Sequence, residues 1–136
     1  MVIGIGIDIV EVERIRQALQ DGEALARRVF TERELTYCRE RKNQFQHFAG
    51  RFAAKEAAMK ALGTGWQEGI RWRDVEVIPG DLGQPELVFH GKAEELFTAK
   101  GGRRSHVTIT HASAYAVAAV VLEGEPGSAR DGLPRE

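Results

Sequence analysis

Residues 2–9 read VIGIGIDI, a strict alternation. A strand turns successive side chains to opposite faces, so Ile3, Ile5, Ile7 and Ile9 share one face and Gly4, Gly6 and Asp8 the other. Glycine weakens a strand interior, so the glycine face predicts the close approach of another element. From Glu11 the period lengthens. Val12, Ile15, Ala18 and Leu19 follow helical spacing, and Asp21-Gly22 breaks the run. A short helix through Leu25 and Val29 is expected next. Thr31, followed three residues later by Glu34, then has the form of a capping box that opens a helix reaching about Lys42. A long helix is predicted over 44–62, interrupted by Gly50 and ended by Gly63-Thr64-Gly65, with Gly63 a left-handed cap.

The second half reads mainly as strands. Residues 74–78 and 86–90 flank turn chemistry at Pro79-Gly80-Asp81 and predict a hairpin-like pair. Residues 92–100 predict a short helix stopped by Gly101-Gly102. Residues 106–110 alternate, and 114–122 are almost entirely apolar, the mark of a buried strand. Together these elements predict an α+β fold, with an antiparallel-rich sheet against one long helix. The domain is expected to end at 123, and the tail over 124–136, with Leu133 its one core-type residue, reads as disordered.

The chain has 136 residues, 43% hydrophobic and 29% charged, which suits one soluble domain. Its net charge of -1 excludes a global basic footprint for nucleic acid, so a charge-driven partner must use a local patch. No apolar run is long enough to span a membrane, and the start lacks a basic leader. With a single cysteine, Cys38, read as a packed small hydrophobe, a reducing, cytoplasmic setting is the expectation.

Candidate chemistry centres on RFAAKEAAMK, residues 51–60. On a helix Glu56 and Lys60 share a face, as do Arg51 and Lys55. The alanines between them leave a low surface on which a bulky anion could lie. A carboxylate flanked by lysines suits polyphosphate chemistry: the carboxylate holds Mg²⁺ and the lysines neutralise phosphate charge. Asp8 would supply a second oxygen ligand. On the residues alone, Glu56 and Lys60 read first as an ordinary helix ion pair, and Asp8 as a residue of the helix N-cap region. Alternation over 106–110 sets His106, Thr108 and Thr110 on one face and His111 on the other, which speaks against zinc and reads equally as a phosphate- or base-binding face or as a plain polar strand edge. Arg14, Arg16, Arg27 and Arg28 form a dispersed positive group able to attract an acidic partner.

The segments GIGIDIVEVERI, FTERELTYC, RFAAKEAAMKALGTG and THASAYAVAAVVLE stand in the order found in bacterial holo-acyl-carrier-protein synthases, and residues 2–123 resemble that family throughout. The resemblance implies a small, trimer-forming 4′-phosphopantetheinyl transferase fold. It implies transfer of the 4′-phosphopantetheine arm of coenzyme A to a serine of apo acyl carrier protein, with release of adenosine 3′,5′-bisphosphate. It places the Mg²⁺ ligands at Asp8 and Glu56 and a charge-steadying lysine at Lys60. The general base is either Glu56 acting through a metal-bound water, the preferred candidate, or a Mg²⁺-activated water without a side-chain base. Lys42, Arg51, Lys55, Gly83, Pro85, His106 and Thr108 are implied contacts of the coenzyme, with His106 and Thr108 serving a neighbouring subunit's nucleotide. Arg14, Arg27 and Arg28 are implied to meet the carrier. Neither nucleic acid nor membrane is an expected partner. The weighed alternatives are an inactive coenzyme A or nucleotide module and a plain trimeric assembly domain.

Overall fold

A computed structural model describes residues 1–63 and 69–125. Strand β1 (Val2–Glu11) leads into helices α1 (Val12–Gln20), α2 (Glu23–Val29), α3 (Glu32–Arg39) and α4 (Gln44–Leu62). A 3-10 turn (Trp72–Asp74) precedes β2 (Val75–Pro79) and β3 (Pro85–Phe89), then α5 (Gly91–Ala99), β4 (Gly102–Ala112) and β5 (Tyr115–Gly124). The architecture is the expected α+β one. Strands β1, β5 and β4 form an antiparallel sheet in the order β1-β5-β4, and β2 and β3 pair as a separate antiparallel hairpin.

The glycine face of β1 is the core face. A Cβ at Gly4 would lie 2.1 Å from the Ala61 carbonyl oxygen, and one at Gly6 1.8 Å from that of Ala57. The strand backbone therefore rests directly on α4, and only glycine permits it. Ala53, Ala54, Ala57, Ala58 and Ala61 are all buried in this interface. The alanine surface expected to receive an anion is instead covered by the protein's own strands. From β5, Ala116, Ala118, Val120 and Leu122 fill the same layer. The isoleucines of β1 turn outward: Ile5, Ile7 and Ile9 are 67%, 60% and 61% exposed.

Local signals in the sequence hold where their chemistry is local. Thr31 and Glu34 make the reciprocal capping box of α3. Gly63 adopts a left-handed φ of 82° and ends α4. Gly50 does not interrupt α4, which runs through it; a Cβ there would meet Ile109 Cγ2 at 2.7 Å, so the missing side chain makes room for β4. Boundaries shift elsewhere. Helix α3 ends at Arg39 rather than near Lys42, β1 runs on to Glu11, and β4 spans Gly102–Ala112 rather than 106–110 alone. Extensive pairing with β5 carries β4 past its alternating centre. Thr64 and Gly65 of the expected helix stop, and residues 126–136 of the expected tail, lie outside the described residues.

Candidate active site

Asp8 lies near the end of β1 on its glycine face, and Glu56 lies midway along α4. The strand's seat on the helix brings them to one pocket of about 500 Å³. Arg14 of α1 and Arg28 of α2 also line it. Val10, Ile15, Leu19, Phe52 and Trp72 give it apolar walls, and the rings of Phe52 and Trp72 stack with centroids 4.9 Å apart. Lys60, one turn beyond Glu56, donates to Asp8 Oδ1 at 3.1 Å and to the Ile7 carbonyl at 3.0 Å. Its side chain is 55% exposed against 18% for Asp8, so the ammonium reaches solvent while the carboxylate is mostly covered.

Lys55 has a different environment from the coenzyme contact implied for it. Its ammonium is fully buried and pairs with Glu34 at 2.9 Å. It also donates to the Val75 and Trp72 carbonyls. Burial pushes the ammonium pKa down, and the Glu34 carboxylate opposes that shift. Glu34 in turn accepts from the Thr31 and Val77 backbone N–H groups. Lys55 thus ties α4, α3 and the Trp72 turn together beside Glu56.

Arg51 is one turn before Lys55 and is 5% exposed. Its guanidinium lies 3.9 Å from the Tyr37 ring centroid, and that of Arg41 lies 3.4 Å from the same ring. Its Nε is buried without a hydrogen-bond partner among the described residues. Burial first, and then the positive charges of Arg51 and Arg41, lower the pKa of neighbouring His47. Lys42 is exposed in the turn before α4. Arg51 and Arg41 therefore share the Tyr37 ring, and neither Arg51 nor Lys42 lines the Asp8/Glu56 pocket.

Pro85 and His106 share a further pocket of about 360 Å³ between β3 and β4. Gly83, with φ of 86°, forms the tight turn just before it. His106 contacts Glu123 Oε1 at 2.6 Å. Thr108 stands exposed on the outer sheet face beside His106. Arg27 lies apart from the Asp8 pocket and lines a cleft on the far side of α2. The sequence reading did not include Phe52 and Trp72 as pocket walls, or Glu34 as the partner of Lys55. The aromatics stand in an apolar pattern that reads simply as core, and Glu34 reads as a cap. Cys38 is buried, and desolvation raises its thiol pKa to about 12, so it is the inert small hydrophobe expected.

The pocket thus joins two carboxylates and two arginines on a small α+β fold, with Lys60 bonded to one of the carboxylates. Residues 4–120 match the family model of the 4′-phosphopantetheinyl transferase superfamily, and the chain belongs to that superfamily. Within it the similarity is to one kind of enzyme. The chain is 50% identical to a holo-[acyl-carrier-protein] synthase of Koribacter versatilis over 124 residues, 90% of this chain and 99% of that one. The solved structure of the holo-[acyl-carrier-protein] synthase from Neisseria meningitidis superposes with a TM-score of 0.81 at 34% identity, covering 90% of this chain and 99% of that one. That of the Bacillus anthracis synthase, in complex with CoA (3',5'-ADP), superposes at 0.75 with 37% identity, covering 92% and 99%.

Proposed function

We propose that this protein is a holo-[acyl-carrier-protein] synthase. It transfers the 4′-phosphopantetheine arm of coenzyme A to a serine hydroxyl of apo acyl carrier protein. The serine oxygen forms a bond to the pyrophosphate phosphorus that carries pantetheine. The bond from that phosphorus to the bridging oxygen breaks, adenosine 3′,5′-bisphosphate leaves with the electron pair, and the serine proton passes to a base. Such a displacement needs alignment and charge neutralisation more than covalent help.

The observation that carries this reading is the convergence of Asp8 and Glu56 on one pocket that Arg14 and Arg28 also line. The two carboxylates fit Mg²⁺, a hard cation that takes one or two protein carboxylates and leaves positions for water and substrate phosphates. Among the described residues no larger acidic or histidine cluster competes for it. When bound, the ion would neutralise pyrophosphate charge. Lys60 holds Asp8 in place and, being half exposed, can turn to the leaving phosphate. Glu56 is the assigned base for the serine proton. The stacked Phe52 and Trp72 wall suits the pantetheine chain.

The adenosine end goes to Lys42 and Arg51, with Gly83, Pro85, His106 and Thr108 supplied by a neighbouring subunit. The orphan Nε of Arg51 supports an anion there, and the Pro85/His106 pocket supports a base or ribose. Lys55 positions Trp72 against α4 rather than touching the coenzyme. The outward face of Ile5, Ile7 and Ile9, flanked by Val117, Ala119 and Val121 on the paired strand, supports a homotrimer closed through the sheet. Arg14 and Arg28 at the pocket, with Arg27 beside them, support docking of the carrier. No helix among the described residues is long and apolar enough to cross a membrane.

The test is direct. The protein, coenzyme A, Mg²⁺ and apo acyl carrier protein should yield carrier heavier by one phosphopantetheine arm, read by mass spectrometry. Asp8→Asn and Glu56→Gln should each abolish the gain with the fold intact. Absence of transfer to several carriers, with coenzyme A still bound, would instead define a binding module.

A further inference from the structure

The ring of Tyr37 on α3 gathers a positive cluster from the turn after that helix, from α4 and from β4. The guanidinium carbons of Arg41 and Arg51 lie 3.4 and 3.9 Å from its centroid. His47, in the first turn of α4, meets the same ring edge-on with centroids 5.7 Å apart. His111 of β4 meets His47 edge-on at 5.9 Å. Tyr37, Arg41, Arg51 and His111 are thus the charged and titratable groups that face His47. Among the described residues no carboxylate bonds to any of these cations or imidazoles. Arg41 donates to the Tyr37 carbonyl, and His111 Nε2 to that of Gln46 at 2.8 Å. Arg51 is 5% exposed, and its Nε is buried with no hydrogen-bond partner. A buried charge without a counter-ion is costly, so this concentration of positive groups calls for an anion to complete it.

We propose that His47 is a proton-linked member of this anion site: an anion binding at Arg41 and Arg51 draws a proton onto the His47 imidazole, and a fall in pH in turn tightens the anion. The inference rests on the reading above that Arg51 takes the adenosine end of coenzyme A. Burial and the two guanidinium groups hold His47 below the ordinary histidine range, so the ring is neutral at pH 7. A phosphate beside those guanidinium groups offsets their repulsion and favours the imidazolium. Coupling between two ligands is reciprocal, so the proton favours the anion to the same extent. The pKa with anion bound then lies above that of the free protein. The gain in affinity is complete below the free value and is lost as pH rises through the bound one.

The experiment measures binding of adenosine 3′,5′-bisphosphate by titration calorimetry for wild type, H47F and H47Q. Dividing wild type by variant at each pH removes the titration of the ligand's own phosphates. Expected is an affinity ratio about three- to tenfold larger near pH 5.5 than near pH 8 for both variants. Heats measured in two buffers of different ionisation enthalpy should show more proton uptake by wild type than by H47F. H111Q should keep the wild-type dependence. A ratio that stays flat with pH overturns the proposal. So does a pH dependence lost in H111Q but kept in H47F. Should H47Q fail to fold, H47F, which keeps an aromatic ring against Tyr37, carries the comparison. Wild type that binds no bisphosphate at any pH would overturn the coenzyme assignment itself, whereas binding with a flat ratio overturns only the role of His47.

Discussion

Replacing Lys55 by methionine tests the least expected feature of the site. The ammonium is fully buried, pairs with Glu34 at 2.9 Å, and donates to the carbonyls of Val75 and Trp72. Methionine keeps most of the volume and removes the charge. Glu34 would then stay buried, held only by the Thr31 and Val77 N–H groups. Removing one partner of a buried pair costs about 3–5 kcal/mol, because the other charge is left uncompensated. The orphaned carbonyls belong to the same loss and are not added to it. At about 4 °C per kcal/mol for a domain of this size, the melting temperature should fall by roughly 12–20 °C. Lys55→Met with Glu34→Gln should recover about half of that, since a neutral amide keeps the acceptor for Val77 without the charge. Urea unfolding followed by circular dichroism gives all four corners of the cycle, and the double variant should be less destabilised than the sum of the two single losses. A Lys55→Met protein within about 1 kcal/mol of wild type would refute the buried pair. If the same variant raised coenzyme A KM with its stability intact, the implied coenzyme contact would be right instead.

Gly6→Ala should prevent folding or cost at least about 3 kcal/mol, because the new Cβ would sit 1.8 Å from the Ala57 carbonyl oxygen; a normal thermal melt would contradict the seat of β1 on α4. Burial raises the pKa of Glu76, but hydrogen bonds from Arg33, Thr31 and His90 outweigh it and bring the group from 4.5 down to about 2. Its folded pKa is depressed, so its stabilising contribution is present above about pH 4.5 and is lost as pH falls toward 2; Glu76→Gln should flatten acid unfolding in that window, and an unchanged acid limb would count against the network. Ile7→Glu should convert the proposed trimer to monomer in light scattering and remove transfer, while an unshifted mass would exclude the outer face of β1 as the interface.

Much of the fold is legible in the chain because its signals act over a few residues. Alternation marks β1, reciprocal side-chain bonds mark the start of α3, and a left-handed glycine marks the end of α4. The near relation of Glu56 to Lys60 follows from helical period alone. Gly4 and Gly6 announced a close neighbour, though not which one. Boundaries moved where long-range pairing decides them, as in β4, whose ends are held by β5 rather than by their own residues.

Tertiary structure decided the rest. Sequence gives Lys55 and Lys60 the same charge and nearly the same place, but five residues turn a helix by about 140°, so one ammonium enters the core and the other reaches Asp8. Which face of β1 is buried was equally open, since isoleucine is the more apolar choice. Backbone contact with the α4 alanines took the glycine face, and the isoleucines were left exposed. Asp8 and Glu56 were readable as candidates from residue type; their meeting in one pocket depends on a strand and a helix far apart in the chain, and only the packed fold brings them there.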